Sequence, residues 1–218
     1  MGSAEDIQAM LAFQRGDEKG FQVLYERYSR PILNYLYRFT WNRSVAEELT
    51  QEVFLRVCRA ARTYEPRNSF RSWLYQIATN VGRNEVRRPV YSVRQDSLES
   101  SFRMPGTDRP AETQRDPASD GPEDMAAARR LEQDIQGILM RLPERQRSAL
   151  LLCRHHGFSY HETAAIMGLR EGAVKSLIHR ATETLRKGLS AYLDSDSDEG
   201  ERGNAMQEGP TESDRLPG

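Results

Sequence analysis

A chain of 218 residues with a mean hydropathy of −0.74 carries apolar material for modest helical cores only, which favours two small domains over one large one. No stretch approaches the roughly eighteen consecutive apolar residues of a membrane span. The opening residues lack the basic start and apolar run of a secretory leader, so a cytoplasmic protein without membrane insertion is expected. Cys58 and Cys153 fall far apart in different helical segments and read as free thiols.

The net charge of −1 conceals a segregation. Residues 17–88 hold 13 basic against 8 acidic side chains and residues 127–193 hold 11 against 6, whereas 89–126 hold 4 against 8 and 194–218 hold 2 against 8. Two basic blocks are thus separated and followed by acidic ones, a distribution compatible with nucleic-acid binding and equally with ordinary solvated surface.

After a lead of residues 1–16, apolar residues recur at three- and four-residue steps from Phe21 and Leu24 through Tyr28, Ile32, Tyr35 and Phe39, which predicts a long helix running through Pro31. A second helix is expected over 45–61, capped by Ser44, with Glu47 and Glu48 at its positive end and Leu49, Val53, Phe54 and Val57 as its stripe. A third, over 69–88, carries Phe70, Trp73, Leu74, Ile77 and Val81 until Pro89 prevents continuation. Residues 17–89 therefore form the first domain. Residues 90–124, with four prolines among Ser, Asp and Glu, read as a flexible linker that could span on the order of 100 Å at ~3.3 Å per residue. Helical periodicity resumes near Met125 and a further helix opens at Pro143, so residues 125–193 form the second domain, followed by a disordered acidic tail over 194–218. The fold class is all-α: two small helical domains joined by a linker.

Within the second domain, Ser159-Tyr160-His161-Glu162 is a capping box, Met167-Gly168 a helix stop, and a second helix follows after Leu169-Arg170. That is the order and spacing of a helix-turn-helix. Val174, Leu177, Ile178, Ala181 and Leu185 face inward in the second helix, which leaves Lys175, Ser176, His179 and Arg180 outward. Basic and polar side chains on such a helix suit the major groove, where they reach guanine edges or phosphates, and Gly172 and Ala173 permit close approach.

The segments Leu142-Pro143-Glu144-Arg145-Gln146-Arg147, Gly157 through Gly168, Gly172 through Ser176 and His179-Arg180-Ala181 resemble the C-terminal domain of bacterial extracytoplasmic-function sigma factors. The resemblance implies that this domain reads the promoter −35 element, with Arg170, Gly172, Ala173, Lys175, Ser176, His179 and Arg180 against DNA. Ala173 and Leu177 depart from the Thr and Arg common in the family. In the first domain, Ala46 through Val57 resembles the sigma segment that docks on the coiled coil of the large polymerase subunit, which implies Glu48, Gln51, Glu52 and Phe54 as contacts to core polymerase. Phe70 through Asn80, continuing to Arg88, is similar to the segment that opens and reads the −10 element. Unpaired bases need stacking surfaces or polar pockets and their backbone needs cations, and the matching residues are Trp73, Tyr75, Asn80, Arg83, Asn84, Arg87 and Arg88. Trp73 and Tyr75 also fit a core.

The implied partners are core RNA polymerase, promoter DNA and, as for most such factors, an anti-sigma protein. Cys153, His155, His156 and His161 are metal-ligating types, yet C-x-H-H-x4-H follows no standard finger and His161 belongs to the capping box. Neither a phosphate loop nor a nucleophile elbow occurs in a plausible context, so no cofactor, metal or catalytic activity is expected. Two rival readings remain: a helix-turn-helix regulator acting without replacing sigma, and a zinc-dependent redox sensor centred on Cys153.

Overall fold

The computed structural model of the protein describes residues 3–87 and 122–204, all of whose regular elements are helices. The expected linker up to residue 121 and the tail from residue 205 lie outside the described residues, as does Arg88. The first unit comprises α1 (Ser3–Gln14), α2 (Glu18–Thr40), α3 (Arg43–Ala60), a 3-10 turn over Ala61–Thr63 and α4 (Phe70–Val86). The second comprises α5 (Pro122–Arg141), α6 (Glu144–Leu150) continuing as a π-helical turn over Leu151–His155, α7 (Tyr160–Met167) and α8 (Glu171–Asn204).

α2 starts at Asp17, whose side chain accepts from the Lys19 N–H, and passes through Pro31 without breaking. It ends on Trp41 in the left-handed region at φ 52, a conformation that strains any residue with a Cβ. The turn brings Asn42 to the start of α3, where its side chain accepts from the Val45 N–H at 3.1 Å. Asn42, not Ser44, is therefore the cap, because the helix begins two residues earlier than its apolar stripe. Leu24, Ile32, Tyr35, Leu36, Phe39, Val53, Val57, Phe70 and Leu74 close the core between α2, α3 and α4. Removing such side chains from water contributes about 25 cal/mol per Å2 of apolar area, the term that holds the helices together.

Residues 3–14, which the sequence sets apart as a lead, belong to this unit. α1 buries Met10 and the carboxylate of Asp6, which accepts from the Tyr28 hydroxyl at 2.5 Å and pairs with Arg27. Gln14 donates to the carbonyls of Ala61 at 2.9 Å and Tyr64 at 3.1 Å. The helices approach so closely at Gly20 that a Cβ there would stand 2.2 Å from the Ala9 carbonyl oxygen. The last helix carries past Leu193, where the sequence places the start of the tail, to Asn204.

One cluster of buried apolar side chains runs from Met10 through α2, α3 and α4 into Ala149, Leu152, Phe158, Ile166, Val174 and Ile178. The two units are thus packed on each other. Among the described residues no helix is long and apolar enough to cross a membrane.

Candidate nucleic-acid interface

The helix-turn-helix is built from α7 and the start of α8. Ser159 Oγ accepts from the Glu162 N–H at 3.1 Å and Glu162 Oε2 accepts from the Ser159 N–H at 2.8 Å, which holds the glutamate pKa below its ordinary value. The chain turns at Gly168, φ 64, where a Cβ would be strained, and Leu169 N–H closes on the Ala164 carbonyl at 2.9 Å. Val174 and Ile178 of α8 are buried in one cluster with Ile166 and Met167, and Ala181 in a second with Leu139, Leu142 and Leu150. Arg170, Gly172, Ala173, Lys175, Ser176, His179 and Arg180 are all exposed, so the structure gathers the expected −35 residues on one solvent face. Lys175 pairs with Glu171 at 2.9 Å, and Ser176 Oγ donates to the Gly172 carbonyl at 3.0 Å. On α7, Ala164, Ile166 and Met167 are buried and Ala165 is exposed.

On α3, Glu48 and Gln51 are exposed and Glu52 partly so, with its carboxylate drawn to Arg56 at 2.7 Å. Phe54 does not belong to this surface. It is 3% exposed and packs edge-on against Tyr25, ring centroids 4.8 Å apart, because it falls on the inward side of the helix. The apolar group that the surface does present is Leu55, 51% exposed and one turn beyond Gln51. Leu55 lies outside the apolar stripe of Leu49, Val53, Phe54 and Val57, and that omission is the signal the sequence offered for it.

α4 divides its candidates between two faces. Gln76, Asn80 and Asn84 are exposed and share one stripe with the half-buried Trp73. Trp73 stacks edge-on with Tyr64 at 4.9 Å and borders a crevice of about 360 Å3 that Asn68, Ser72 and Gln76 also line, together with Ala165 and Ile166 of α7. Tyr75 turns the other way. It is 1% exposed, its hydroxyl shares a 2.9 Å hydrogen bond with His156 Nδ1, and its ring lies 4.9 Å from that of Phe158. Arg83 and Arg87 both pair with Glu144 of α6, the first at 3.3 Å. Burial alone would raise the Glu144 pKa, but the two guanidiniums hold it below the usual carboxylate value.

Four further residues join the units and have no signal in the local pattern: Arg71, Glu144, Arg147 and His156. Arg71 donates to the His156 carbonyl and lies 3.9 Å over the Phe158 ring. Arg147, 2% exposed, donates to the carbonyls of Phe39 at 2.7 Å and Met140 at 2.6 Å, two groups left over at helix ends. The His156 ring is wedged 5.3 Å from Tyr35 and 5.0 Å from Tyr75. Its Nε2 finds no hydrogen-bond partner among the described residues, and burial brings its pKa down to about 3. Cys153 Sγ lies 3.0 Å from Thr163 Oγ1, and no cluster of metal-ligating side chains occurs among the described residues.

Residues 24–89 match the family model for sigma-70 region 2, and residues 132–185 match the model for sigma-70 region 4. The RNA polymerase sigma-H factor of Pseudomonas aeruginosa is 30% identical over 87% of this chain and 96% of its own length. The chain belongs to the extracytoplasmic-function sigma factors of the sigma-70 family. The corresponding sigma factor SigE of Mycolicibacterium smegmatis is 35% identical over 78% of this chain, which spans 61% of that longer relative. A solved structure of the sigma factor RpoE in complex with the anti-sigma factor NepR, from Bartonella quintana, superposes on 79% of this chain and 98% of its own with a TM-score of 0.57 and 26% identity. As a sigma factor the protein directs promoter-specific initiation by RNA polymerase, which sets aside the reading as a regulator that leaves sigma in place. The region 2 match takes in most of α2 with α3 and α4, and the region 4 match runs from the second half of α5 into the first half of α8.

Proposed function

We propose that the protein docks on core RNA polymerase through the exposed edge of α3, holds the opened −10 strand on α4 and reads duplex at −35 with α8. What carries the assignment is that the two matched regions, in the family's order, each end on an exposed polar helix face: Gln76, Asn80 and Asn84 in one, Lys175, Ser176, His179 and Arg180 in the other. Glu48 and Glu52 supply charge to a basic partner helix, Gln51 a hydrogen-bonding amide and Leu55 the apolar contact. Trp73, Gln76 and the neighbouring crevice offer one unpaired base a stacking wall and polar edges, while Arg83 and Arg87 neutralise the backbone. Lys175 and Arg180 meet phosphates or guanine edges in the major groove. The polymerase performs the chemistry, so the protein acts in the cytoplasm without catalysis of its own.

The likeness to a factor solved with an anti-sigma protein supports a partner of that class for this chain as well. The decisive experiment is transcription with core polymerase on a genomic promoter library, with and without the protein. Discrete transcripts that depend on it are expected, and their complete absence would sink the reading. The partner is tested by the same reaction: an anti-sigma protein should abolish the transcripts in proportion to its concentration.

A further inference from the structure

The first turn of α8 carries a charge that DNA phosphates repel. Glu171 opens the part of the helix that a recognition helix leads into the major groove, one turn before Lys175 on the same stripe, with His179 one turn further. Its carboxylate holds the Lys175 ammonium at 2.9 Å, and the two side chains are 43% and 57% exposed. The same ammonium lies 5.9 Å from the centre of the Tyr160 ring of α7, within the range of a cation–π contact. The hydrogen bond between the partners holds the Glu171 pKa below and the Lys175 pKa above the ordinary values, so both are charged near neutrality. The lysine is thus held from two sides on the very face that meets DNA. We propose that Glu171 and Lys175 act as one unit that reads a single G·C base pair of the −35 element, the lysine donating to guanine and the glutamate accepting from cytosine.

The inference rests on the proposed role of α8, and the spacing of the pair supports it. In the major groove a G·C pair presents the guanine N7 and O6 acceptors and then the cytosine N4 amino donor. O6 and N4 are themselves hydrogen-bonded, hence about 2.9 Å apart. The ion pair offers a donor and an acceptor at that same separation, in the complementary order. An ammonium has three donors, enough for Glu171, O6 and N7 together. A T·A pair also sets an acceptor and a donor, O4 and N6, side by side, but a methyl group then stands beside the lysine and adenine N7 faces the carboxylate, acceptor against acceptor. C·G and A·T reverse the order and oppose like to like. One base pair of the four therefore satisfies both side chains. The positive end of a helix favours an acid at Glu171, yet it gives no reason for the lysine drawn onto that acid across an aromatic ring of the preceding helix.

The test is selection from promoter DNA randomised over the −35 hexamer, using core polymerase with the full chain and sequencing the DNA retained. Circular dichroism establishes that each variant is folded. The wild type should enrich G·C over the other three pairs about tenfold at one position, the size of one good base contact. Glu171→Gln keeps the shape and removes the charge; that preference should fall to about twofold, with adenine gaining because an amide suits its N6 and N7, and only at that position. Glu171→Lys with Lys175→Glu keeps the ion pair in reverse and should turn G·C into C·G. Glu183→Gln removes an equal charge from the Arg186 pair, about 18 Å along α8 at ~1.5 Å per residue, and should leave the profile unchanged. If Glu171 were only a surface charge, its removal would tighten binding to all sequences evenly and the wild-type profile would survive. That result, an equal change in Glu183→Gln, or a double variant without the inversion overturns the inference. A wild-type holoenzyme that selects no −35 sequence at all overturns instead the role of α8 beneath it.

Discussion

The face of α4 and the face of α8 are both expected to meet DNA, yet the folded chain treats them in opposite ways. α8 presents Lys175, His179 and Arg180 to solvent, where they stabilise little, Lys175 being held only by an exposed pair with Glu171. α4 keeps Tyr75 buried and Arg83 engaged, so these side chains serve the fold. Substitutions in α8 should therefore act on function alone, whereas those around α4 should act on stability and function together.

The largest effect is expected at Phe158, 3% exposed between Tyr75 and Arg71. Phe158→Ala should lower unfolding stability by about 4 kcal/mol, read from urea denaturation, through the lost burial and the cavity left behind. Arg147→Ala comes next. It leaves the Phe39 and Met140 carbonyls without a charged donor, and a loss of about 3 kcal/mol is expected, with the contact between the units failing before either core. Arg180→Ala should do the reverse: about 2 kcal/mol of −35 duplex affinity lost in a binding titration, and melting changed by no more than about 0.5 kcal/mol. If melting falls as far as affinity does, the contrast between the two faces is mistaken.

The smallest effect is that of pH. His156 is held neutral by burial, with the cationic charges of His155, Arg71 and Arg38 acting in the same direction, and its pKa falls from 6.5 to about 3. A depressed histidine means that the folded state, with the two units packed together, binds fewer protons, so its stability is present above pH 6.5 and is lost progressively as pH falls towards 3. At pH 5.5, one unit below the ordinary value, that packing should be weaker by about 1.4 kcal/mol. Scattering across this range should show expansion on acidification in the wild type and none in His156→Glu. A wild type that stays compact down to pH 4 would show that His156 does not govern the contact between the units.

What could be read from the sequence was what depends on neighbours three or four residues away. The stripes of α2, α3 and α4, the Ser159–Glu162 box, the Gly168 stop and the outward set on α8 are all local, and the structure places them as the pattern predicts. The errors have the same origin. Asn42 caps α3 because a left-handed Trp41 starts the helix early, and no apolar period reports that. α1 was hidden because Ile7, Met10 and Leu11 are too few to define a stripe without the Asp6 and Gln14 contacts that dock it. Phe54 lies inward as its place in the α3 stripe predicts, packed on Tyr25, so the error there is the contact role carried over by resemblance and not the periodicity. The pairing of Tyr75 with His156, and of Arg83 and Arg87 with Glu144, joins residues far apart in the chain, beyond the reach of any periodicity.

The π-helical turn at Leu151–His155 gives this last pairing a dependence on residue number. Its widened bond, from the His156 N–H to the Leu151 carbonyl at 3.0 Å, accommodates one residue more than an α-helical turn would. Each residue of an α-helix advances the chain by about 100°. Deleting a single residue here would therefore swing His156 off Tyr75 and away from Tyr35 while leaving the composition of both cores untouched. The strength of the embrace between the halves is thus adjustable by a change in chain length, independently of the chemistry of the exposed faces of α4 and α8.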